Sequence, residues 1–165
     1  MIDGFDIGIG LTGFYKTIYN EFDKFVKKKI KKNKSIDIAY NSKSILYSEL
    51  YRLNEFKFIS ITIIGKYNLI SESPLKIEFN FTNESIKIDS DDSEIKTDYS
   101  EKSNIGITEF DVDLSDKLEH LIKKGELISI IINSKSGRFI KTKTKIEYND
   151  IKSSNLKSLK IIDRT

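Results

Sequence analysis

The chain has 165 residues, no cysteine and a single histidine, and its 28 basic and 25 acidic residues leave a formal net charge of +3. A chain of this length can bury a core without disulfides, and the lack of cysteine excludes a disulfide framework and a thiolate metal site. So small a charge does not by itself indicate a nucleic-acid-binding protein, and no stretch holds the ~20 consecutive apolar residues of a membrane span.

The first predicted elements are a short strand over residues 5–9 and a long amphipathic helix. From Tyr15 onward, apolar residues recur at steps of three and four, with lysines on the opposite side. This spacing lines one face of an α-helix, so we expect a buried stripe on a helix that Thr12 caps and that ends near Lys34. The predicted stripe consists of Ile18, Tyr19, Phe22, Val26 and Ile30.

The next segment contains two predicted strands with a helix between them. Residues 36–40 alternate, and residues 58–64 are nearly all apolar, which indicates a central strand covered on both faces. Leucine and tyrosine residues at helical spacing predict a shorter helix over residues 43–53. The residues with this spacing are Leu46, Tyr47, Leu50 and Leu53.

A hairpin and a polar segment follow. Strict alternation predicts a strand over residues 75–82 that returns as a second strand over 86–88. The polar segment 89–104 is predicted to be a mobile loop that encloses a weak strand over 94–99.

The last third of the chain completes an α+β pattern. Ser115 as N-cap and Gly125 as left-handed C-terminal residue bound another helix. Further strands are predicted over residues 105–114, 127–132, 139–148 and 156–162. Residues 1–165 are therefore predicted to form a single α+β domain. It would have a largely antiparallel sheet, one long N-terminal amphipathic helix and two shorter helices.

Three glycines near the N-terminus match a phosphate-binding pattern. Gly8, Gly10 and Gly13 are spaced as G-x-G-x-x-G between a predicted strand and a predicted helix. In dinucleotide-binding folds these glycines let a pyrophosphate approach the helix N-terminus, so one alternative is a nucleotide-binding enzyme. The same glycines also serve as turn residues, and the second half of the chain does not continue an α/β winding.

A run of lysines offers a second alternative, a nucleic-acid-binding module. Seven lysines lie within residues 24–34, and such a patch binds phosphates through salt-dependent contacts. A solvated helix end explains the same run without a ligand, because neighbouring lysines point in different directions and interleaved aromatic residues are lacking beyond Phe25. The lysines assigned to the patch are Lys24, Lys27, Lys28, Lys31 and Lys32.

Carboxylates at alternate positions could hold a cation or supply an acid and a base. Glu109, Asp111 and Asp113 share one face of a predicted strand, but we expect them to pair with the lysine stripe at residues 141, 143 and 145. His120 is expected to face water, and segment 89–94 lacks the glycine and glutamate of a calcium loop. We therefore predict no metal, no cofactor and no catalytic residue.

These observations favour a non-enzymatic protein-interaction module. It would be a structural or assembly component of a larger, virion-like particle, or an inhibitor or immunity partner, and it would bind another protein or copies of itself. The predicted strands offer edges for pairing, and eight tyrosines and ten phenylalanines offer interface anchors. The expected contact surfaces are the glycine-rich N-terminus and residues 89–104. The N-terminus lacks a signal-peptide pattern, so we expect a cytoplasmic location or assembly from the cytoplasm.

Overall fold

Two β-sheets account for most of the structure, a computed structural model that describes residues 10–66, 75–90, 95–136 and 142–165. The helical elements are α1 (Gly10–Glu21), α2 (Asp23–Phe25), a π-helical turn (Val26–Ile30), α3 (Asp116–Lys124) and α4 (Ser153–Ser158). The strands are β1 (Ile36–Tyr40), β2 (Ser44–Leu53), β3 (Phe56–Gly65), β4 (Lys76–Phe81), β5 (Ser85–Asp89), β6 (Lys96–Ser100), β7 (Ile105–Asp113), β8 (Leu127–Ser136), β9 (Thr142–Tyr148), β10 (Asp150–Ile151) and β11 (Ile161–Asp163).

The strands form a large sheet and a small sheet. The large sheet has the order β10-β1-β2-β3-β7-β6, and β11 pairs in parallel with β2. The small sheet has the order β5-β4-β8-β9. All pairings except β11 with β2 are antiparallel, so the predicted α+β class with mostly antiparallel pairing is confirmed.

The main core lies between the two sheets. Ile59, Ile61 and Ile63 of β3 alternate toward it, while Phe79 and Ile130 contribute from the small sheet. Residues of α3 and α4 join the same cluster. The face of the large sheet that meets the small sheet is called the inner face below, and the opposite one the outer face.

The N-terminal helical segment (residues 10–30) packs on the outer face, but it is not the predicted single long helix. Its apolar residues recur at every fourth position, and four steps in a 3.6-residue helix would turn the stripe by about 160°. A break at Phe22 (φ −120°, ψ 54°) and the wider π-helical turn, with a Lys31 N–H to Val26 O bond of 2.8 Å, offset this rotation. The regularly spaced residues are Phe14, Ile18, Phe22, Val26 and Ile30. Tyr19, predicted in the stripe, is 45% exposed, and Thr12 lies inside α1 rather than at its N-cap.

The predicted helix over residues 43–53 is wrong, because this segment is β2. Leu46 and Leu50 belong to the core between the sheets, whereas Ile45 and Tyr47 pack beneath the helical segment. A strand covered on both faces has a nearly continuous apolar run, and such a run also contains apolar residues at helical spacing. β2 is apolar on both faces because the small sheet packs against one face and the helical segment against the other, and the spacing of its residues does not show this.

Several other predictions are confirmed or corrected at the ends of elements. Ser115 Oγ accepts a hydrogen bond from the Leu118 N–H (3.1 Å), and Gly125 has φ 71°, so the predicted caps of α3 are confirmed. The weak strand predicted over 94–99 within a mobile loop is present as β6, which pairs with β7. The strand predicted over 156–162 is in part wrong, since α4 occupies its first residues and β11 its last. The strand predicted over 5–9 lies outside the described residues.

Candidate functional site

The outer face of the large sheet is covered only in part by the helical segment. Each set of side chains that pair across β2, β3 and β7 is called a row. Below the helical segment, the row of Tyr47 also holds Thr62 and Glu109, and the other side chains that pair across the sheet are apolar. The apolar side chains are Ile45, Tyr47, Ile64, Ile105 and Ile107. The rows nearer the β2–β3 hairpin lie beyond the helical segment, and they form the candidate site.

The first open row carries a buried carboxylate. Glu49 pairs with Ser60, which pairs with Asp111 on β7. The Glu49 side chain has no exposure and receives hydrogen bonds from Lys29 Nζ (2.9 Å) and Arg164 Nη2 (2.5 Å). Because Lys29 belongs to the helical segment and Arg164 to the C-terminal end of the described chain, Glu49 joins both to the centre of the sheet.

The next rows form an apolar end of the sheet, at the β2–β3 hairpin. Tyr51 pairs with Phe58 and Leu53 with Phe56, so all four side chains lie on the outer face. The rings of Tyr51 and Phe58 stack with centroids 5.1 Å apart, while Leu53 and Phe56 are 45% and 61% exposed. Asn54 begins the two-residue turn with φ 57°, a conformation that asparagine tolerates better than most residues.

A groove of about 430 Å³ runs from this apolar end toward β7 and β5. We call it the hairpin groove, and its lining includes Tyr51, Leu53, Phe58, Asp89, Asp111 and Asp113. The Tyr51 hydroxyl donates a hydrogen bond to Asp111 Oδ2 (2.7 Å). Burial and this bond raise the pKa of Tyr51, so the phenol stays protonated and acts as a donor.

A second cleft, of about 650 Å³, lies between the helical segment and strands β6 and β7. Its ionisable lining is balanced, with four lysines and four carboxylates. The eight residues are Lys24, Lys28, Lys29, Lys96, Glu21, Asp23, Asp98 and Glu109. Burial raises the pKa of Glu109 in spite of the neighbouring lysines.

The predicted carboxylate stripe is present, but its predicted pairing is wrong. Glu109, Asp111 and Asp113 alternate along β7 and share the outer face of the large sheet. Lys143 and Lys145 lie on β9 in the small sheet, so they are not cross-strand neighbours of these carboxylates, and residue 141 lies outside the described residues. Among the described residues, no group of three or more histidines, aspartates or glutamates is placed to hold a metal ion. His120 is exposed, as predicted.

The lysines of the predicted basic patch separate into different environments. Lys27 pairs with Asp23 (3.0 Å), and Lys24 and Lys28 line the balanced cleft. Lys31 and Lys32 are exposed in the turn after the helical segment. Nucleic-acid binding by these residues stays a prediction.

The glycine-rich motif does not form a separate loop where the structure describes it. Gly10 and Gly13 lie within α1, which begins at Gly10, and Gly8 lies outside the described residues. The predicted arrangement, in which the motif lies between a strand and the helix, therefore differs from the observed one, in which α1 begins at the second glycine. Nucleotide binding by these three residues stays a prediction.

A further cluster of ionisable groups joins the helical segment to the opposite edge of the large sheet. The Tyr15 hydroxyl donates a hydrogen bond to Asp37, and Lys152 Nζ contacts both Asp37 Oδ2 (2.5 Å) and the Tyr15 oxygen (2.9 Å). Burial and the Asp37 carboxylate raise the pKa of Tyr15, so its hydroxyl stays protonated and donates to Asp37 instead of supplying a phenolate base. We therefore interpret this cluster as a structural tie between α1 and β1.

Comparisons of the chain with protein-family models, with curated proteins and with solved structures found no match. No helix among the described residues is long and apolar enough to cross a membrane.

The residues of the hairpin groove were largely missed at the level of sequence. The helical spacing of Leu53 with Leu46 and Leu50 conceals the hairpin that brings Phe56 and Phe58 beside Leu53 and Tyr51. The available signal was Asn54, a residue tolerant of positive φ, between two apolar stretches. Asp111 and Asp113 were singled out, but nothing local indicated that Asp89 would lie beside them.

Proposed function

We propose that the chain is a non-enzymatic protein-interaction module that binds a partner through the apolar end of the large sheet's outer face. The partner is another protein or a second copy of the chain. Such a module serves as an assembly component of a larger particle or as an inhibitor or immunity partner.

The observation that carries this proposal is the joint exposure of Leu53 and Phe56 on one face of the hairpin. Large apolar side chains that are exposed together, beside polar residues, are typical of interaction surfaces, and phenylalanine is enriched there. The stacked Tyr51 and Phe58 rings behind them give a rigid base, which lowers the entropy lost on binding.

The test compares a double variant with a matched control. Leu53→Ser combined with Phe56→Ser removes the exposed apolar groups at the hairpin, and Ile128→Ser removes one from β8 of the small sheet, where Ile128 is 56% exposed. A partner recovered from the native source would be identified by mass spectrometry, purified and titrated against each protein by calorimetry. Size-exclusion chromatography with light scattering would detect self-association.

We expect the double variant to bind the partner, or itself, at least about tenfold more weakly, whereas Ile128→Ser binds as the unaltered chain does. Circular dichroism and urea unfolding would confirm that all three proteins are folded. A chain that remains monomeric and retains no partner would contradict the proposal, and so would a folded double variant with unaltered affinity.

A further inference from the structure

We infer that the hairpin groove accepts a basic segment of a partner protein, with an arginine guanidinium placed on Phe58 and facing the groove's aspartates. This inference rests on the proposed function and specifies the chemistry of the partner at that site. Its basis is the charge of the groove, its aromatic base and an intramolecular contact that the chain already makes on Tyr51.

The hairpin groove has a one-sided charge. Asp89, Asp111 and Asp113 line it, no described basic residue does, and none of the three forms an ion pair with a described residue. The cleft beside the helical segment differs, because its lysines and carboxylates are equal in number. A cationic partner group would therefore gain attraction in the hairpin groove with no opposing lysine.

An arginine of the chain already stacks on Tyr51, one ring of the stacked Tyr51 and Phe58 pair. The guanidinium carbon of Arg164 lies 3.9 Å from the ring centroid of Tyr51, and the same side chain donates a hydrogen bond to the Glu49 carboxylate. The ring of Phe58 stacks against Tyr51 and lies beside Asp111 and Asp113. The hairpin groove therefore repeats the combination of ring and carboxylate that holds Arg164, but with a ring and carboxylates that face outward.

Arginine fits this combination better than lysine. Its planar guanidinium can stack on a ring while its N–H groups, which lie in the same plane, donate to carboxylates at the ring edge. Leu53 and Phe56 at the rim would contact the aliphatic part of the arginine side chain or an apolar neighbour in the partner.

The probe for this inference is a blocked arginine, N-acetyl-arginine amide, compared with N-acetyl-citrulline amide, which has nearly the same shape but no charge. The ¹⁵N-labelled full chain would be titrated with each up to about 50 mM, a range that detects millimolar binding. Two variants accompany it. Asp89→Asn with Asp113→Asn removes two exposed groove carboxylates, and Glu126→Gln with Asp150→Asn removes two exposed carboxylates elsewhere.

We expect saturable shifts from blocked arginine at the amides of residues 51–58 and 110–113, and binding of citrulline at least about tenfold weaker. The groove variant should bind blocked arginine about three- to tenfold more weakly, whereas the control variant should bind it as the unaltered chain does. Equal responses to arginine and citrulline, shifts spread over all acidic surfaces, or no shift would overturn the inference.

The recovered partner separates this inference from the proposed function. If the Leu53→Ser, Phe56→Ser protein loses the partner while the Asp89→Asn, Asp113→Asn protein keeps unaltered affinity for it, the apolar end is the binding surface and the basic segment is refuted. If both variants lose the partner in step with the arginine result, both proposals hold.

Discussion

The buried Glu49 carboxylate is expected to hold the helical segment and the C-terminal residues on the large sheet, and its two cations can be removed one at a time. Lys29→Met and Arg164→Met each keep most of the aliphatic volume but delete a positive charge. Each single variant leaves Glu49, which has no exposure, with one cation instead of two. The protein should therefore lose stability in steps.

The size of each step follows from burial. Breaking a fully buried ion pair costs about 3–5 kcal/mol, and an exposed pair contributes about 0–1 kcal/mol. Here the carboxylate is buried, but the side chains of Lys29 and Arg164 are 27% and 33% exposed. We expect a loss of about 2 kcal/mol for each single variant and at least about 4 kcal/mol for the double variant.

Urea unfolding of a mutant cycle measures these losses. With a slope near 2 kcal/mol/M, each single variant should unfold at about 1 M lower urea. In a Glu49→Gln background, the same two substitutions should cost less than about 0.5 kcal/mol, because the two cations then face a neutral amide and each other. Arg164→Lys is the matched control that keeps the charge but loses the stacking on Tyr51.

Two results would refute this reasoning. If Lys29→Met costs as much in the Glu49→Gln background as in the unaltered chain, the loss comes from packing and not from the ion pair. If about 0.5 M salt abolishes the effect, the pair behaves as an exposed one, since burial limits screening.

Three other substitutions test the local features of the fold. Ser115→Ala removes the N-cap acceptor of α3 and should lower the free energy of unfolding by about 1 kcal/mol, measured by urea denaturation with Ser115→Thr as control. Gly65→Ala would place a Cβ 2.3 Å from the Ser44 Cβ and 2.4 Å from the Lys43 carbonyl oxygen, so it should cost about 1–3 kcal/mol, and an unchanged urea midpoint would contradict that close approach. Glu109→Gln should stabilise the protein near pH 7, because burial raises the pKa of Glu109 and the folded chain therefore binds this proton more tightly than the unfolded chain does. The gain should vanish as pH falls through that pKa, and a gain that persists at about pH 3 would exclude ionisation as its cause.

The elements that could be predicted from the sequence are those whose local pattern has one interpretation, and they include residues 58–64, predicted and observed as a central strand covered on both faces (β3). The β4–β5 hairpin and β7 alternate apolar and polar residues, so their strand period is visible. The α3 helix has distinctive residues at both ends, Ser115 and Gly125. In each of these elements, the local pattern and the final packing require the same residues.

The elements that the sequence does not predict correctly have an apolar pattern that depends on which other elements pack against them. β2 is apolar on both faces because the small sheet and the helical segment cover it, and neither cover can be inferred from residues 44–53 alone. The four-residue spacing from Phe14 to Ile30 lies close enough to 3.6 to predict a straight helix. Only contact with one flat sheet face over the whole segment requires the break at Phe22 and the π-helical turn.

The candidate site was hidden from the sequence because its contacts are distant along the chain. Glu49 lies 115 residues from Arg164, and Tyr51 lies 60 residues from Asp111. No local pattern joins such pairs. The lone carboxylate stripe on β7 was visible, but its neighbours depend on the order of strands in the sheets.

The order of polar and apolar rows along the outer face indicates that its apolar end is a packing surface separate from the one that the helical segment covers. Beneath the helical segment the rows are mainly apolar, with Thr62 and Glu109 in the row of Tyr47, and the next row is polar, with Glu49 held by two cations and Asp111 by Tyr51. A face that continued into water would not require large apolar side chains at the end of the hairpin. Instead the apolar character returns at Leu53 and Phe56, where no described element covers it. The paired polar row therefore separates the part of the face that the chain covers itself from the part we propose it offers to a partner.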